Sequence, residues 1–470
     1  MRTALVIGST LAVLILAAAL VAWLVIDTER IRERLATALG EALGMEVRIG
    51  QPLQFSLLRG VSVEFEDIQA SIEGEVVART QSARVRLALF SLLTGRIRPV
   101  ELHIERPELS VERYGQGLFN IYTPDPNPAA LEALFLRRVR VSDARVTWLD
   151  QPSALNWEFE HCDLDLRNIA HAGGLPDRAA ETLAAQGALK CRVVRQDRFS
   201  ATGVSAQIQG DDGVFALDPI SATVFDGQAA GRMELDFASN PPAFGLKARL
   251  PEFELGSFLA MTEPEQAASG TMDFELDLEA QGSGWQEIRS SAAGSISLSA
   301  GELVLEGFNL DEELDDYAET QRFNLIDVGA TLLGGPIGLA ASRGYAFSGL
   351  LGDSGGSTTI DRMISEWSVE NGMAQARDVA FRTLENRLAL AGALDFGNYR
   401  FDDLRVTILD RDGCAIVKQR ITGPFSDPDI EQPNFLVAVA GPLLDLVKRG
   451  VDSITDNDCQ VFYTGSLAHP

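Results

Sequence analysis

The chain has 470 residues, 46% of them hydrophobic and 23% charged, with 67 Asp and Glu against 40 Lys and Arg and a net charge of −27. This composition excludes a disordered or collagen-like chain, and the acidic balance argues against nucleic acid as a partner, because phosphate binding needs clustered Lys and Arg. Four His and four Cys leave little material for His-based catalysis or a metal cage. The charge is also uneven. Residues 1–150 hold 17 basic and 18 acidic side chains, while the remaining 320 residues hold 23 and 49.

The first element is a run of 22 uncharged residues, 5–26. At 1.5 Å per residue a helix of that length spans about 33 Å, enough for a hydrocarbon core of roughly 30 Å. Ala17-Ala18-Ala19 resembles a cleavage site, yet the apolar run continues past it to Ile26. A signal-peptide core is usually about 7–15 residues, so the expectation is an uncleaved anchor. Trp23 stands near its exit, where interfacial aromatics are common. Arg2 lies on one side of the span. Arg30, Arg32 and Arg34 lie on the other, interleaved with Asp27, Glu29 and Glu33, so the positive-inside rule orients it only weakly. The long acidic remainder and its cysteines favour export, which leaves residues 1–4 in the cytoplasm.

Residues 31–43 are helical in pattern, with Ile31, Leu35, Ala38, Leu39 and Ala42 on one side and Gly44 as a stop. From there the period becomes two. Val61, Val63 and Phe65 alternate with polar residues, as do Val85, Leu87 and Leu89, then Val100, Leu102 and Ile104, then Leu109 and Val111. Val146 with Trp148, Trp157 with Phe159, and Leu164 with Leu166 continue the series. The sharpest case is Met272, Phe274, Leu276 and Leu278, each separated by an acidic residue. Such alternation marks strands with one dry and one wet face. Turns at residues 210–213, 226–227, 282–284 and 371–372 separate the runs. Helices are expected in few places besides the anchor and its extension: 129–136, around 310–325, and 435–447. The fold class is therefore mainly β with an N-terminal transmembrane helix.

An antiparallel sheet with one apolar face must cover it, and few helices are available. A pair of β-sandwiches and one continuous curled sheet both satisfy the alternation. Short strands beginning at Gly231, Gly270 and Gly392 echo one another, which mildly favours the continuous form.

Both ends of the chain carry motifs of a known family. Near the N-terminus these are the anchor, the segment 31–44, Val47-Arg-Ile-Gly-Gln-Pro-Leu53, Leu92-Leu93-Thr-Gly95, Val100-Glu-Leu-His-Ile-Glu-Arg-Pro107 and Gly117-Leu-Phe-Asn120. Near the C-terminus they are residues 414–428, Ala440-Gly-Pro-Leu-Leu-Asp-Leu-Val-Lys448 and Cys459-Gln-Val-Phe-Tyr-Thr-Gly465. In these the sequence resembles the AsmA family of bacterial inner-membrane proteins. Two departures are mild: the family usually has Pro where Leu58-Arg59-Gly60 stands, and Asn-Trp where Asn120-Ile121 stands.

The resemblance implies a single-pass inner-membrane protein with its bulk in the periplasm, similar to chorein-type bridge lipid transporters. Its architecture would be a long curled antiparallel sheet forming a hydrophobic groove, with few amphipathic helices. The chain would divide into a membrane-proximal region (27–150), a central β-groove (151–400) and a C-terminal region with an amphipathic helix (401–470). The implied function is non-enzymatic: sheltering phospholipid acyl chains and supporting outer-membrane biogenesis, without a cofactor. The implied partners are phospholipid, the inner membrane and other envelope proteins. The alternative is an adaptor or regulator of outer-membrane protein assembly that carries no lipid. Groove candidates are the apolar alternates Val61, Val63, Phe65, Val100, Leu102, Ile104, Phe274, Leu276 and Leu278. Four cysteines allow three pairings. In an oxidising periplasm Cys414 with Cys459 would staple the last helix to the sheet, and Cys162 with Cys191 is the other expected pair; buried free thiols are the competing state.

Other motifs read as structure. Gly352-Asp353-Ser354-Gly355-Gly356 matches the surroundings of a trypsin-like nucleophile, but a triad needs a His base held by a buried Asp. His103, His161, His171 and His469 are the available bases, and His161 falls within a strand pattern, so a surface loop is expected. Asp410-Arg411-Asp412-Gly413 starts like a calcium loop, yet its Gly comes too early and no Glu follows at the right spacing. The acidic runs at 210–213 and 311–316 read as solvated turn and helix surface. Arg137, Arg138 and Arg140 read as outward charges on a strand, with anionic headgroups as the rival partner.

Overall fold

The computed structural model describes residues 33, 36–37, 40, 45–50, 54–56, 61–88, 99–114, 120, 133–151, 155–174, 176–261, 267–307, 309–315, 355–435 and 461–470. Strand accounts for 70% of them. Between 33 and 40 the described residues are helical, with Thr37 Oγ1 donating to the Glu33 carbonyl at 2.9 Å. The expected anchor at 5–26 lies outside the described residues, and among those no helix is long and apolar enough to cross a membrane. The chain divides into two compact units, residues 1–130 with 134–169, and residues 131–133 with 170–470.

The first unit is built from β1 (Glu46–Ile49), β2 (Gln54–Ser56), β3 (Val61–Ile72), β4 (Glu75–Leu87), β5 (Pro99–Arg113), β6 (Leu134–Asp150) and β7 (Leu155–His171). β3 pairs with β1, β2 and β4, and β4 pairs with β5, all antiparallel. β5 and β6, however, run parallel, so the sheet is not uniformly antiparallel as the resemblance implied. Parallel neighbours need a crossover of about a dozen residues or more, and the interval from Arg113 to Leu134 supplies one. The expected helix at 129–136 is also corrected. Leu134, Phe135 and Leu136 open β6, and residues 129–132 lie outside the described residues. Their local apolar clustering fits a helix as well as a strand, and they continue the strand whose later residues pair with β5.

Four strands of this unit carry a left-handed residue near one level, while β4 between the first two carries none: Asp67 (φ 49°) on β3, Arg106 (φ 48°) on β5, Asp143 (φ 56°) on β6 and His161 (φ 52°) on β7. Asp and His tolerate this region better than most residues. On either side of each, the apolar positions change parity. Val63 and Phe65 give way to Ile68, and Ile68 still packs with them in one cluster that includes Ile49 and Val47. Each left-handed residue thus keeps both halves of its strand apolar on the same face. Polar contacts tie the row: His161 Nδ1 lies 2.6 Å from Asp143 Oδ1, and Arg106 Nε lies 3.7 Å from Asp143 Oδ2.

The second unit is a meander in which each strand pairs antiparallel with the next. Its strands are β8 (Ala184–Gln196), β9 (Phe199–Asp211), β10 (Val214–Val224), β11 (Gly227–Asp236), β12 (Ala243–Glu254), β14 (Thr271–Gln281), β15 (Ala293–Ala300), β18 (Arg362–Glu370), β19 (Met373–Arg382), β20 (Arg387–Asp395), β21 (Arg400–Leu409) and β22 (Ala415–Pro424). Short strands β23 (Asp429–Ile430) and β24 (Asn434–Phe435) pair with β22. No pairing among the described residues closes this sheet on itself. Phe435, where a C-terminal helix is expected to begin, is therefore a strand residue, and 436–447 lie outside the described residues.

A small second layer covers only part of this sheet. It consists of β13 (Ala268–Ser269), β16 (Leu303–Glu306) and β17 (Ser357–Ile360), with α1 (Leu255–Leu259) and α3 (Leu310–Asp315). A further short helix, α2 (Trp285–Ser291), links β14 to β15 and buries none of its residues. The layer contributes Phe258, Leu259, Leu303, Leu305, Leu310, Leu314 and Ile360, each no more than 2% exposed, to a core shared with Trp367, Phe381, Leu388, Val406 and Val417. Asp311 of α3 fastens it, accepting from Thr383 Oγ1 at 2.5 Å and Asn386 Nδ2 at 2.7 Å. The opposite face of the same strands is covered by the C-terminal segment, where Tyr463 and Leu467 pack on Ala380, Ala389 and Leu409. Arg387 donates to the Leu467 and Asp410 carbonyls, and Asp378 accepts from the Tyr463 hydroxyl and the Ser466 amide.

Candidate functional site: an uncovered apolar face

Register shows which side chains share a face. In the first unit Val63 faces Val85, Val85 faces Leu102, and Leu102 faces Val139. One step along, Phe65, Ala83, Ile104 and Val141 form a parallel row. Val61 pairs with Leu87 in the same ladder, and Val100 is half-buried two positions before Leu102. Five of the groove candidates, Val63, Phe65, Val100, Leu102 and Ile104, therefore belong to one apolar surface. Val63 and Phe65 are buried in the cluster with Ile49, whereas Leu102, Ile104, Val139 and Val141 are only half-buried.

The alternate positions form an ion ladder. Glu64 pairs with Arg84, Arg86 with Glu101, and Arg138 with Asp165. Arg137 also reaches Glu101, and Arg140 reaches Asp165, so each of the three sequence-adjacent arginines has a carboxylate partner. The Arg138 guanidinium hydrogen-bonded to Asp165 holds that carboxyl below its ordinary range. His103, on the same polar side, is pushed down by burial.

In the second unit one row runs across eleven strands: Gly187, Ile208, Leu217, Met233, Leu246, Leu278, Gly294, Val369, Ala374, Leu394 and Phe401. Its members up to Leu278 are half-buried; Val369, Ala374, Leu394 and Phe401 are 5%, 0%, 2% and 2% exposed. The change comes at Gly294, where a Cβ would lie 2.0 Å from the Asp277 carbonyl, so β15 hugs β14 more closely than any side chain permits. Beside it, Phe215, Phe237 and Phe244 stack edge-to-face at 6.3 and 6.1 Å and are half-buried. The Phe215 ring lies over Gly210, whose missing Cβ leaves the room. Where the second layer begins, Phe225, Phe253 and Phe258 meet at 5.4–6.0 Å and end the uncovered face in an aromatic wall.

Three further groove candidates stand at this border. Phe274, Leu276 and Leu278 are half-buried and pack against the covered core, with Leu276 facing Ile296 and Phe274 facing Leu298. The sequence reading singled out the border strand and missed the face beyond it, Ile208, Leu217, Met233 and Leu246. Its signal was present in the alternation of Met233, Leu235 and Phe237 after Gly231.

Cys162 and Cys191, buried on β7 and β8, form a disulfide. Cys414 is disulfide-bonded as well, and Cys459, its expected partner, lies outside the described residues. Ser354 lies outside them too. The Asp410 carboxylate caps its own turn, accepting from the Asp412 and Cys414 amides at 2.9 and 2.8 Å. Among the described residues no group of three or more His, Cys, Asp or Glu comes together as a metal site.

Of the comparisons with known proteins, one family model matches, described as AsmA family, over residues 149–379. That span runs from the end of β6 into β19 and so includes the uncovered face of the second unit and its border. The motifs at the two ends of the chain, which carry the resemblance in the sequence, lie outside it. No curated protein and no solved structure matches.

Proposed function

This chain belongs to the AsmA family through residues 149–379, and on that premise we propose that it shelters phospholipid acyl chains along its uncovered apolar face, without catalysing a reaction. The observation that carries the reading is the half-buried row from Ile208 to Leu278: large apolar side chains in register over consecutive strands. Contiguous apolar surface of this kind is unfavourable in water, at about 25 cal/mol per Å² left exposed, and calls for an occupant. An acyl chain is apolar, long and unbranched, so it matches a lane one or two side chains wide and many strands long. Charged side chains on the opposite face of the same strands, such as the paired Lys247 and Asp277, keep that side wet. In this reading the chain is held in the inner membrane by residues 5–26, with residues 1–4 cytoplasmic and the bulk periplasmic, and it supports outer-membrane biogenesis.

The test is lipid extraction from the full chain purified in mild detergent. Phospholipid should co-purify with the wild type and fall several-fold in Met233→Asp and Leu246→Asp, with the near-ultraviolet circular dichroism unchanged. Equal lipid in the variants and the wild type sinks the proposal.

The adaptor reading has its own support at the turn-bearing end of the covered region. Trp285 and Tyr399 are 58% and 47% exposed there, and the Arg289 guanidinium stacks 3.8 Å from the Tyr399 ring. Trp, Tyr and Arg are the side chains that dominate protein interfaces. Loss of outer-membrane protein assembly in Trp285→Ala, with lipid content unaltered, would favour that reading.

A further inference from the structure

On the face opposite the apolar lane, β10, β11, β12, β14 and β15 enclose a cleft of about 530 Å³. Two rows of side chains line it in register. Ala230, Arg249, Glu275 and Ser297 form one; Arg232, Lys247, Asp277 and Ser295 form the other. Arg232 and Lys247 occupy directly facing positions, where two like charges repel and destabilise the pair. Where arginines face one another elsewhere, carboxylates stand with them: Asp361 on Arg382, which faces Arg362, and Asp403 on both Arg405 and Arg420. On the polar face of the first unit the facing pairs are of opposite sign, Glu64 with Arg84 and Arg86 with Glu101.

Acidic partners are not scarce, since residues 151–470 hold 49 carboxylates against 23 basic side chains. Lys247 takes one of them, with Nζ 2.6 Å from Asp277 Oδ2. Arg232 and Arg249 are exposed and take part in no ion pair among the described residues, although Glu275 faces Arg249. The small side chains Ala230, Ala248, Ser295 and Ser297, together with Gly231, leave the space between the cations open.

We propose that this cleft binds a phosphodiester monoanion, with Arg232 and Lys247 sharing its non-bridging oxygens and Arg249 beside them. A guanidinium fork matches two such oxygens, and an ammonium adds a point charge. The charge count selects the ligand. Three cations are matched by Asp218, Glu275 and Asp277 around the same cleft, so a bound monoanion leaves one negative charge in excess and a dianion two, which favours the monoanion. The site is separate from the apolar lane and does not depend on it.

The diester group is common to a lipid headgroup and to a soluble glycerophosphodiester, and the experiment separates them. The full chain in mild detergent is titrated calorimetrically with glycerophosphoglycerol, with dihexanoyl phosphatidylglycerol and with inorganic phosphate. Saturable binding of the diester probes, weakening as salt is raised, is expected, with inorganic phosphate weaker. Equal affinity for both diesters assigns recognition to the headgroup alone; tighter binding of the lipid assigns the source to the membrane. The double variant Arg232→Gln with Lys247→Gln should bind about tenfold or more weakly, since it loses both cations that share the phosphate oxygens. The exchanged pair Arg232→Lys with Lys247→Arg should stay within about threefold of wild type, which separates lost charge from lost fold. No saturable diester binding, undiminished binding by the Gln pair, or tighter binding of inorganic phosphate overturns the proposal.

Discussion

The row that crosses the second unit passes through two regions built from the same alternation. From Ile208 to Leu278 its side chains are half-buried, and from Val369 to Phe401 they are nearly inaccessible. The strands do not differ in kind; their cover does. Past Gly294 a three-stranded layer with α1 and α3 seals one face and the segment ending in Tyr463 and Leu467 seals the other. Before it, the apolar face has no second layer among the described residues. Alternation thus specifies that a strand has a dry side, while chain segments distant in sequence decide whether protein supplies the dryness.

The largest expected contrast between the regions is in stability. Phe381→Ala removes a side chain with no exposed surface from the covered core and should cost about 3–5 kcal/mol. Met233→Ala, on the uncovered face, should cost about 1 kcal/mol or less, because its side chain keeps part of its surface in contact with solvent or ligand. Urea denaturation of the full chain followed by tryptophan fluorescence measures both. Equal costs would erase the distinction between the two regions.

Next in size is the disulfide. Where there is no sealed core, a covalent staple carries a larger share of the order, and Cys162 with Cys191 closes a loop of about 30 residues worth roughly 3–4 kcal/mol in the chain-entropy account. Replacing both with Ser should lower the thermal midpoint and remove the response to reductant of the strands around β7 and β8, read by hydrogen exchange. A loss of protection confined to the core around Phe381 would contradict this.

Asp311→Ala tests what holds the cover in place. Thr383 and Asn386 would lose a shared acceptor at 0% and 5% exposure, at a cost of about 1–3 kcal/mol. Protease cleavage within α3 should rise in this variant while the uncovered strands keep their protection.

How much of this was legible in the sequence follows from the same contrast. Alternation located the strands, including Val100 to Ile104 and Met272 to Leu278, and register then placed Val63, Val85, Leu102 and Val139 on one face as that pattern requires. Two things were not legible. The parity changes at Asp67, Arg106, Asp143 and His161 look like broken alternation unless the backbone is known to turn left-handed there. The cover over β18–β22 is assembled from segments as distant as Leu255 and Leu467, and no local pattern reports such contacts. The same gap explains why Phe274, Leu276 and Leu278 were singled out although they stand at the border of the core.

The smallest effect concerns pH. Asp165 titrates below its ordinary range because Arg138 stabilises the carboxylate, so its contribution is present above the unfolded pKa, about 3.9, and is lost as pH falls through the lower folded value. The pair is about one-third exposed, which keeps it under about 1 kcal/mol. Wild type and Asp165→Asn should differ slightly at pH 7 and converge as pH falls through the lowered folded value, by urea titration on acidification. A difference that widens on acidification would reverse the assignment.

The left-handed row also sets how such a sheet is able to change its length. A single residue inserted between Arg106 and Leu109 would turn every later side chain of β5 over, presenting Glu108 and Ser110 to the apolar surface of the first unit. A whole hairpin inserted beside β5 costs nothing of the kind, provided the new strands keep their neighbours' register, as β4 does without a left-handed residue of its own. Growth by strand pairs is silent and growth by single residues is disruptive, so an apolar sheet surface is extended as a fastener is, by adding complete teeth.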